Sequence, residues 1–470
     1  MELFKAGRSD RSEFNERASM NHFRSCDRET PYLLPPSLDD WLPKDHLARF
    51  VADIVDQLNL SALIGRYRGA GSAAYHPAML LALLIYGYAA GTYSSRRIEQ
   101  ATYDSLAFRY LAANTHPDHD TLCAFRKRFL KEIEALFVQV LCIAKEMKLL
   151  KLGTVALDGT KMHANASRHS ALSYGHAEKL EAQLQLEVAE LLARAEAADA
   201  EPLPEELNLP EELARREARL QAIGEAKAEI EARAAERLAR EQAEYEAKVK
   251  ARQEQEARTG QKPRGKAPAP PTPGPRAEDQ MNLTDPDSRI MPAPGGGFEQ
   301  SYNAQAAVDT DTMLVLATGL TQAANDKQQI TPMVETLCAL PEELGKISEL
   351  LADAGYYSEA NVTTCIEADM NPLIATGRES HHLPWQERFD EPPRLPEPAD
   401  AAERMRHRLK TRAGRASYGK RKQTVEPVFG IIKAGMRFRQ FLLRGIEAVR
   451  GEWSLVTMSW NIRRMAVLKG

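Results

Sequence analysis

At 470 residues the chain can bury a sizeable core and should hold two or three domains. Its net charge of −4 hides an asymmetry: residues 401–470 carry 17 Lys/Arg against 4 Asp/Glu, whereas residues 171–260 carry 13 against 21. A basic segment masked by an acidic one predicts a polyanionic partner. Five scattered cysteines (Cys26, Cys123, Cys142, Cys338, Cys365), never at CxxC spacing, exclude a disulfide framework or a structural zinc and fit a reducing cytosol. Residues 1–30 contain no apolar signal core, and the longest apolar stretch, Met79 to Ala90, is too short to span a bilayer. The expectation is a soluble intracellular protein with no membrane partner.

After a polar arm, residues 1–31, the segment 32–150 reads as helical. An amphipathic stretch opens at Asp45, and Pro77 sits in the first turn of a helix that includes Met79–Ala90. Thr92 to Ala112 supplies one or two helices with Arg96 and Arg97 exposed. A further helix starts after His116-Pro117-Asp118-His119, capped by Asp120 or Thr121, with Arg126, Lys127 and Arg128 as a basic face. DNA binding by a helix-turn-helix fits this pattern, and so does an inert bundle.

At Leu152 the pattern changes. Thr154–Leu157 is a short apolar run that ends in Asp158-Gly159, as a buried strand would. Residues 177–260 turn to Ala, Glu, Arg, Leu and Gln and predict a helical hairpin insert with its tip near Pro202–Pro210. Its second arm would reach roughly 70 Å at the rise of an α-helix. Residues 261–280, rich in proline, predict a disordered linker. Strands at Tyr302–Val308 and Met313–Leu320 flank an Asp309-Thr310-Asp311 turn, a helix covers about Gln328 to Leu340, and Leu350–Ala352 is a strand that ends in Asp353. Pro372–Ala375 is another strand, and a charged loop to about Gly414 precedes two C-terminal helices. This order predicts an α/β mixed sheet covered by helices over residues 151–176 and 281–470.

Asp158 and Asp353 each follow an apolar strand and precede small residues that admit a bulky substrate. Paired divalent cations that assist phosphoryl transfer need carboxylates held at such positions. On a helical projection, Tyr418, Arg421, Val425, Glu426, Phe429 and Lys433 fall on one face of about 140°. That face joins a carboxylate to two cations and three packing groups, with Pro427 placing the helix start near Val425. A strand-end aspartate is also commonly a mere turn or cap residue. Asp285, Asp287, Asp309, Asp311 and Asp326 are rival carboxylates, read as turns or a hairpin tip where their context is clear. His116, His119 and His163 lack a third partner at transition-metal spacing. Trp453 and Trp460 read as core, and Arg437, Arg439, Arg444, Arg463 and Arg464 as a DNA-facing basic C-terminal helix.

The pieces "ALDGTK", "SYNAQAAVD", "LADAGYY" and "VEPVFGIIK" resemble the DDE-type transposases of bacterial insertion sequences. Tyr75–Phe129, ending "HPDHDTLCAFRKRF", is similar to the helical N-terminal domain of the same proteins. The resemblance implies an RNase H-like catalytic domain and a metal triad of Asp158, Asp353 and Glu426, spaced 195 and 73 residues apart. It also implies two Mg²⁺ ions, with Mn²⁺ as substitute, double-stranded DNA (terminal inverted repeats and target) as partner, a homodimer, and a cytoplasmic, nucleoid-associated location. Tyr418, Arg421 and Lys433 match the residues that surround the glutamate in that family. The Arg-to-Glu gap is one residue longer here, so Lys422 competes with Arg421 for the role. Among these proteins the chain would cleave DNA ends and transfer strands. A metal-dependent nuclease without strand transfer, or an inactive transposase-derived scaffold, is the alternative.

Overall fold

The computed structural model describes residues 37–67, 74–197, 208–262, 265–293, 295–377, 390–396 and 398–470. The expected polar arm and the expected hairpin tip lie outside them, the tip at all but its last residues. From Leu38 to Glu146 the described elements are all helices: α1 (Leu38–Trp41), α2 (Leu47–Gln57), α3 (Ser61–Ile64), α4 (Pro77–Ala89), α5 (Ser95–Asp104), α6 (Leu106–Leu111), α7 (His119–Arg128) and α8 (Leu130–Glu146). Pro77 takes the first turn of α4, where its missing N–H costs nothing, and nearly the whole helix is buried. The cap of α7 is Asp118, two or three residues earlier than expected, its Oδ1 accepting from Thr121 N at 2.7 Å.

The sheet contains β1 (Thr154–His163), β4 (Arg289–Pro292), β5 (Phe298–Asp309), β6 (Val315–Thr321), β7 (Glu349–Ala352) and β8 (Asn371–Ile374). β5 pairs antiparallel with β1, β4 and β6, while β1, β7 and β8 run parallel. The β5–β6 turn forms because Asp309 Oδ2 accepts from Thr312 N and Oγ1 at 2.8 and 2.6 Å. α11 (Ile330–Cys338) and α12 (Glu359–Glu367) flank the strands.

The chain's end departs from the expected loop and two helices. α13 (Ala401–Lys410) starts where Asp400 and Glu403 close a capping box, and α14 spans Arg412–Gly430 with Pro427 in its interior. The helix therefore begins well before Val425, and a π-helical turn, Ile431–Gly435, follows it. α15 (Ile446–Lys469) is a core helix, not a basic surface. It packs on α2, α4, α8 and β6, with Trp453 and Trp460 buried. Arg463 and Arg464 donate to the carbonyls of Ala89 and Thr312, both at 2.8 Å, which corrects their assignment to a DNA face. The N-terminal helices and the sheet share one hydrophobic core through α15.

The insert is built as α9 (Tyr174–Ala197) and α10 (Leu209–Thr259), antiparallel and bridged by Lys227–Glu181 and Arg216–Glu187. β2 (Ala171–Ser173) pairs with β3 (Gln280–Asn282) and holds the two ends of the insert together. Leu172, Ala177, Leu184, Ile223, Ala226, Ile230 and Met281 form a second, separate core there. The proline-rich stretch runs back along α10 instead of forming a disordered linker. Arg252 donates to Lys266 O at 3.1 Å, Arg276 pairs with Glu241 at 3.2 Å, and Arg237 grips Asp279 at 2.8 Å. Proline disfavours helix there, and the carbonyls of Gly265, Lys266 and Gly274 accept from Arg252 and Arg237 of α10.

Candidate active site

Ala156 pairs with Leu351 in the parallel β1–β7 register, so Asp158 on β1 and Asp353, just past the end of β7, each lie two residues beyond that pair. Asp158 is not a strand end: β1 continues to His163 because Asp158–His163 remain paired with β5 after β7 has stopped. Asp353 does follow its strand. Its Oδ1 accepts from Gly355 N at 2.8 Å, so it also caps the short turn beyond.

Asp158 has a side chain only 17 % exposed. Burial pushes its carboxyl up to about 7; Asp353 and Asp326 add repulsion, while the Gly159 N–H (2.8 Å) and Arg421 oppose the rise. Arg421, from α14, joins two of the expected ligands. Its Nη1 is 3.2 Å from Asp158 Oδ2 and its Nη2 is 3.3 Å from Glu426 Oε1. Lys422 points away and is exposed. Glu426 is half-exposed at the rim. Tyr418 is half-buried against the core on the same helix. The π-turn carries Lys433 onto β1, where its Nζ donates to Thr160 Oγ1 at 2.6 Å and Lys161 O at 3.0 Å. Burial lowers the Lys433 ammonium from its usual range.

Asp326, one of the rival carboxylates, belongs to this site. Its Oδ1 accepts from Asn303 and Gln305, both at 2.7 Å, and Tyr356 OH donates to Gln305. A Cβ on Gly159 would lie 2.5 Å from Asp326 Oδ1 and closer still to Gln305 Nε2, so only glycine fits beneath this clamp. The signal for it lay in alternation: Asn303 and Gln305 are polar residues two apart on one face of a buried strand.

Among the described residues no three His, Cys, Asp or Glu side chains stand close enough together to hold a metal ion. The donor set nonetheless fits a hard divalent cation. It consists of carboxylate oxygens alone, the chemistry that Mg²⁺ prefers.

Of the expected DNA contacts, Arg437, Arg439, Lys127 and Arg128 are exposed. Arg126 is not: it is 4 % exposed, and its Nη1 donates to Tyr88 OH and Tyr93 O, both at 3.0 Å, beside the buried Glu452. Helical rotation puts it on the same inner face as Leu122 and Phe125, which corrects its place on the basic face.

Two family models match the chain: a transposase domain (DUF772) over residues 36–128 and a transposase DDE domain over residues 395–466. The second covers Arg421, Glu426 and Lys433; Asp158 and Asp353 lie outside both. No curated protein and no solved structure matches. The two matches, one on each side of the inserted hairpin, support a DDE-type transposase of insertion sequences.

Proposed function

We propose that the chain cleaves DNA at the ends of an insertion sequence and joins them to target DNA, using Asp158, Asp353 and Glu426 as its catalytic carboxylates. The observation that carries this reading is that Asp158 on β1 and Asp353 just past the end of the parallel strand β7 each lie two residues beyond the Ala156–Leu351 pair, with Arg421 linking Asp158 to Glu426. The strand order β6-β5-β1-β7-β8, antiparallel over the first three and parallel after, supports an RNase H-like fold for the sheet.

In this reading water attacks a phosphodiester at the element's end and frees a 3′-hydroxyl, which then attacks a target phosphodiester in line. Asp158, Asp353 and Glu426 would hold two Mg²⁺ (or Mn²⁺) ions, which when bound activate the attacking oxygen and neutralise the leaving one. Asp326 positions the Gly159 side of the site through Asn303 and Gln305. Arg421 and Lys433 supply fixed positive charge for the phosphate. Lys422, Arg437, Arg439, Lys127, Arg128 and Tyr418 are further DNA contacts, made by a homodimer that brings two ends together. Incubating the protein with labelled duplex bearing the element's ends, plus Mg²⁺ and a target plasmid, tests this reading. Nicked ends and joined products are expected; nicks without joined products would favour a nuclease.

A further inference from the structure

Two turns from opposite ends of the chain meet beside β1. Gly91 closes α4 at φ +78°, and a Cβ there would lie 3.0 Å from Met436 O, so the Gly91–Ser94 turn rests directly on the Met436–Arg439 turn. Tyr93 OH donates to the Arg437 carbonyl, and its ring meets Phe438 edge-on at 5.4 Å and 86°. Arg126 holds the same turn from below, donating to Tyr93 O at 3.0 Å. Arg437 itself takes φ +60°, a left-handed conformation that a long side chain adopts only where its surroundings enforce it.

This packing gathers charge. Arg97 follows one turn into α5, and Arg439 Nε donates to Lys433 O at 3.2 Å. Arg97, in the first turn of α5, and Arg437 and Arg439, on the turn that Tyr93 bonds, thus come from the two segments that pack on one another. All three are exposed, and among the described residues none has a carboxylate within ion-pair distance. Like charges gathered without counter-charges repel one another and favour an anion between them.

We infer that Arg97, Arg437 and Arg439 form one composite ridge that binds the phosphate backbone of duplex DNA, with Tyr93 as the residue that positions Arg437 in it. The inference rests on DNA being the substrate and adds the N-terminal helices to the grip on it. Arg439 O accepts from His163 N at 3.3 Å, which places the ridge at the far end of β1 from Asp158. Five residues of strand span about 17 Å. At about 3.4 Å per nucleotide, a backbone that ran along β1 would meet the ridge about five nucleotides from the bond at the carboxylates.

The test uses the full chain, a fluorescein-labelled mixed-sequence duplex, and anisotropy titrations over roughly 50 to 300 mM salt. Arg97→Ala and Arg437→Ala should each reduce the slope of log K against log salt by about 0.9, and the double variant by about twice that. Arg97→Lys and Arg437→Lys should restore the slope, which separates charge from folding; unchanged melting temperatures check the same point. Tyr93→Phe should weaken binding several-fold with the wild-type slope, and wild-type affinity there would remove its positioning role. A double alanine variant with the wild-type slope overturns the ridge. Binding is read without cleavage, so the two readings fail separately. A protein that binds with the expected slopes but never cuts overturns only the catalytic reading; one that cuts while Arg97 and Arg437 are silent overturns only the ridge.

Discussion

The guanidinium of Arg421 lies 3.2 Å from the carboxylate of Asp158, two residues 263 positions apart in the chain, and the same group reaches Glu426 at 3.3 Å. Arg421 is buried against the two carboxylates while Lys422, the next residue, is exposed. A π-turn after Gly430 and a proline within α14 are the local departures from a regular helix here.

Arg421→Ala should therefore lower the cleavage rate by about 10²–10³, the usual cost of removing one preorganised donor to developing negative charge. Lys422→Ala should change it less than about twofold, with a modest loss of affinity that is largest at low salt. Single-turnover cleavage of labelled duplex measures both. A larger loss for Lys422→Ala would reverse the assignment.

A second prediction concerns Arg126. With Tyr88 and Glu452 it forms a buried charged network: Glu452 Oε1 accepts from Tyr88 OH at 2.8 Å, and Oε2 from Leu442 N at 2.9 Å and Leu443 N at 3.0 Å. This network ties α4, α7 and α15 together across the core. Glu452→Ala leaves Arg126 buried without its counter-charge and should destabilise the fold by about 3–5 kcal/mol. Urea unfolding measures the loss. At temperatures where Arg126→Ala remains folded it should bind duplex with the wild-type salt slope, and a slope reduced by about 0.9 would return Arg126 to the DNA interface.

The sequence made some of this architecture readable and concealed the rest for definable reasons. Leu350–Ala352 and Val155–Leu157 were readable as strands because each is a short apolar run bounded by polar and small residues. The second half of β1 was not, since Gly159, Thr160, Lys161 and His163 are polar where the strand borders the site. Asp326 was named only as a rival carboxylate because its partners, Asn303 and Gln305, come from a distant strand and only tertiary pairing joins them. Arg463 and Arg464 suggested a solvated face, yet both are half-buried and each donates to a carbonyl at the edge of the core. Lys127 and Arg128 face outward from the same basic run in which Arg126 faces inward, a difference of one helical step.

The insert yields a third prediction. Its core is separate from the main one, and β2–β3 pairing already holds its ends together. Replacing residues 174–279 with a short Gly/Ser connector should leave a folded protein that nicks a single DNA end and fails to join two. The net acidic composition of residues 171–260 favours a role in dimerisation or in spacing the ends over a grip on duplex DNA. Circular dichroism with single-end and paired-end assays distinguishes the outcomes: full paired-end activity would make the hairpin dispensable, and an unfolded product would make it part of the core.

The most direct measurement is Mg²⁺-dependent cleavage of labelled end DNA by Asp158→Ala, Asp353→Ala and Glu426→Ala, with duplex binding followed in parallel. Each substitution removes a carboxylate and leaves the exposed arginines in place, so cleavage should disappear while binding stays within about twofold of wild type. Substantial Mg²⁺-dependent cleavage by any one of the three variants would remove that residue from the catalytic set and contradict the account built on it.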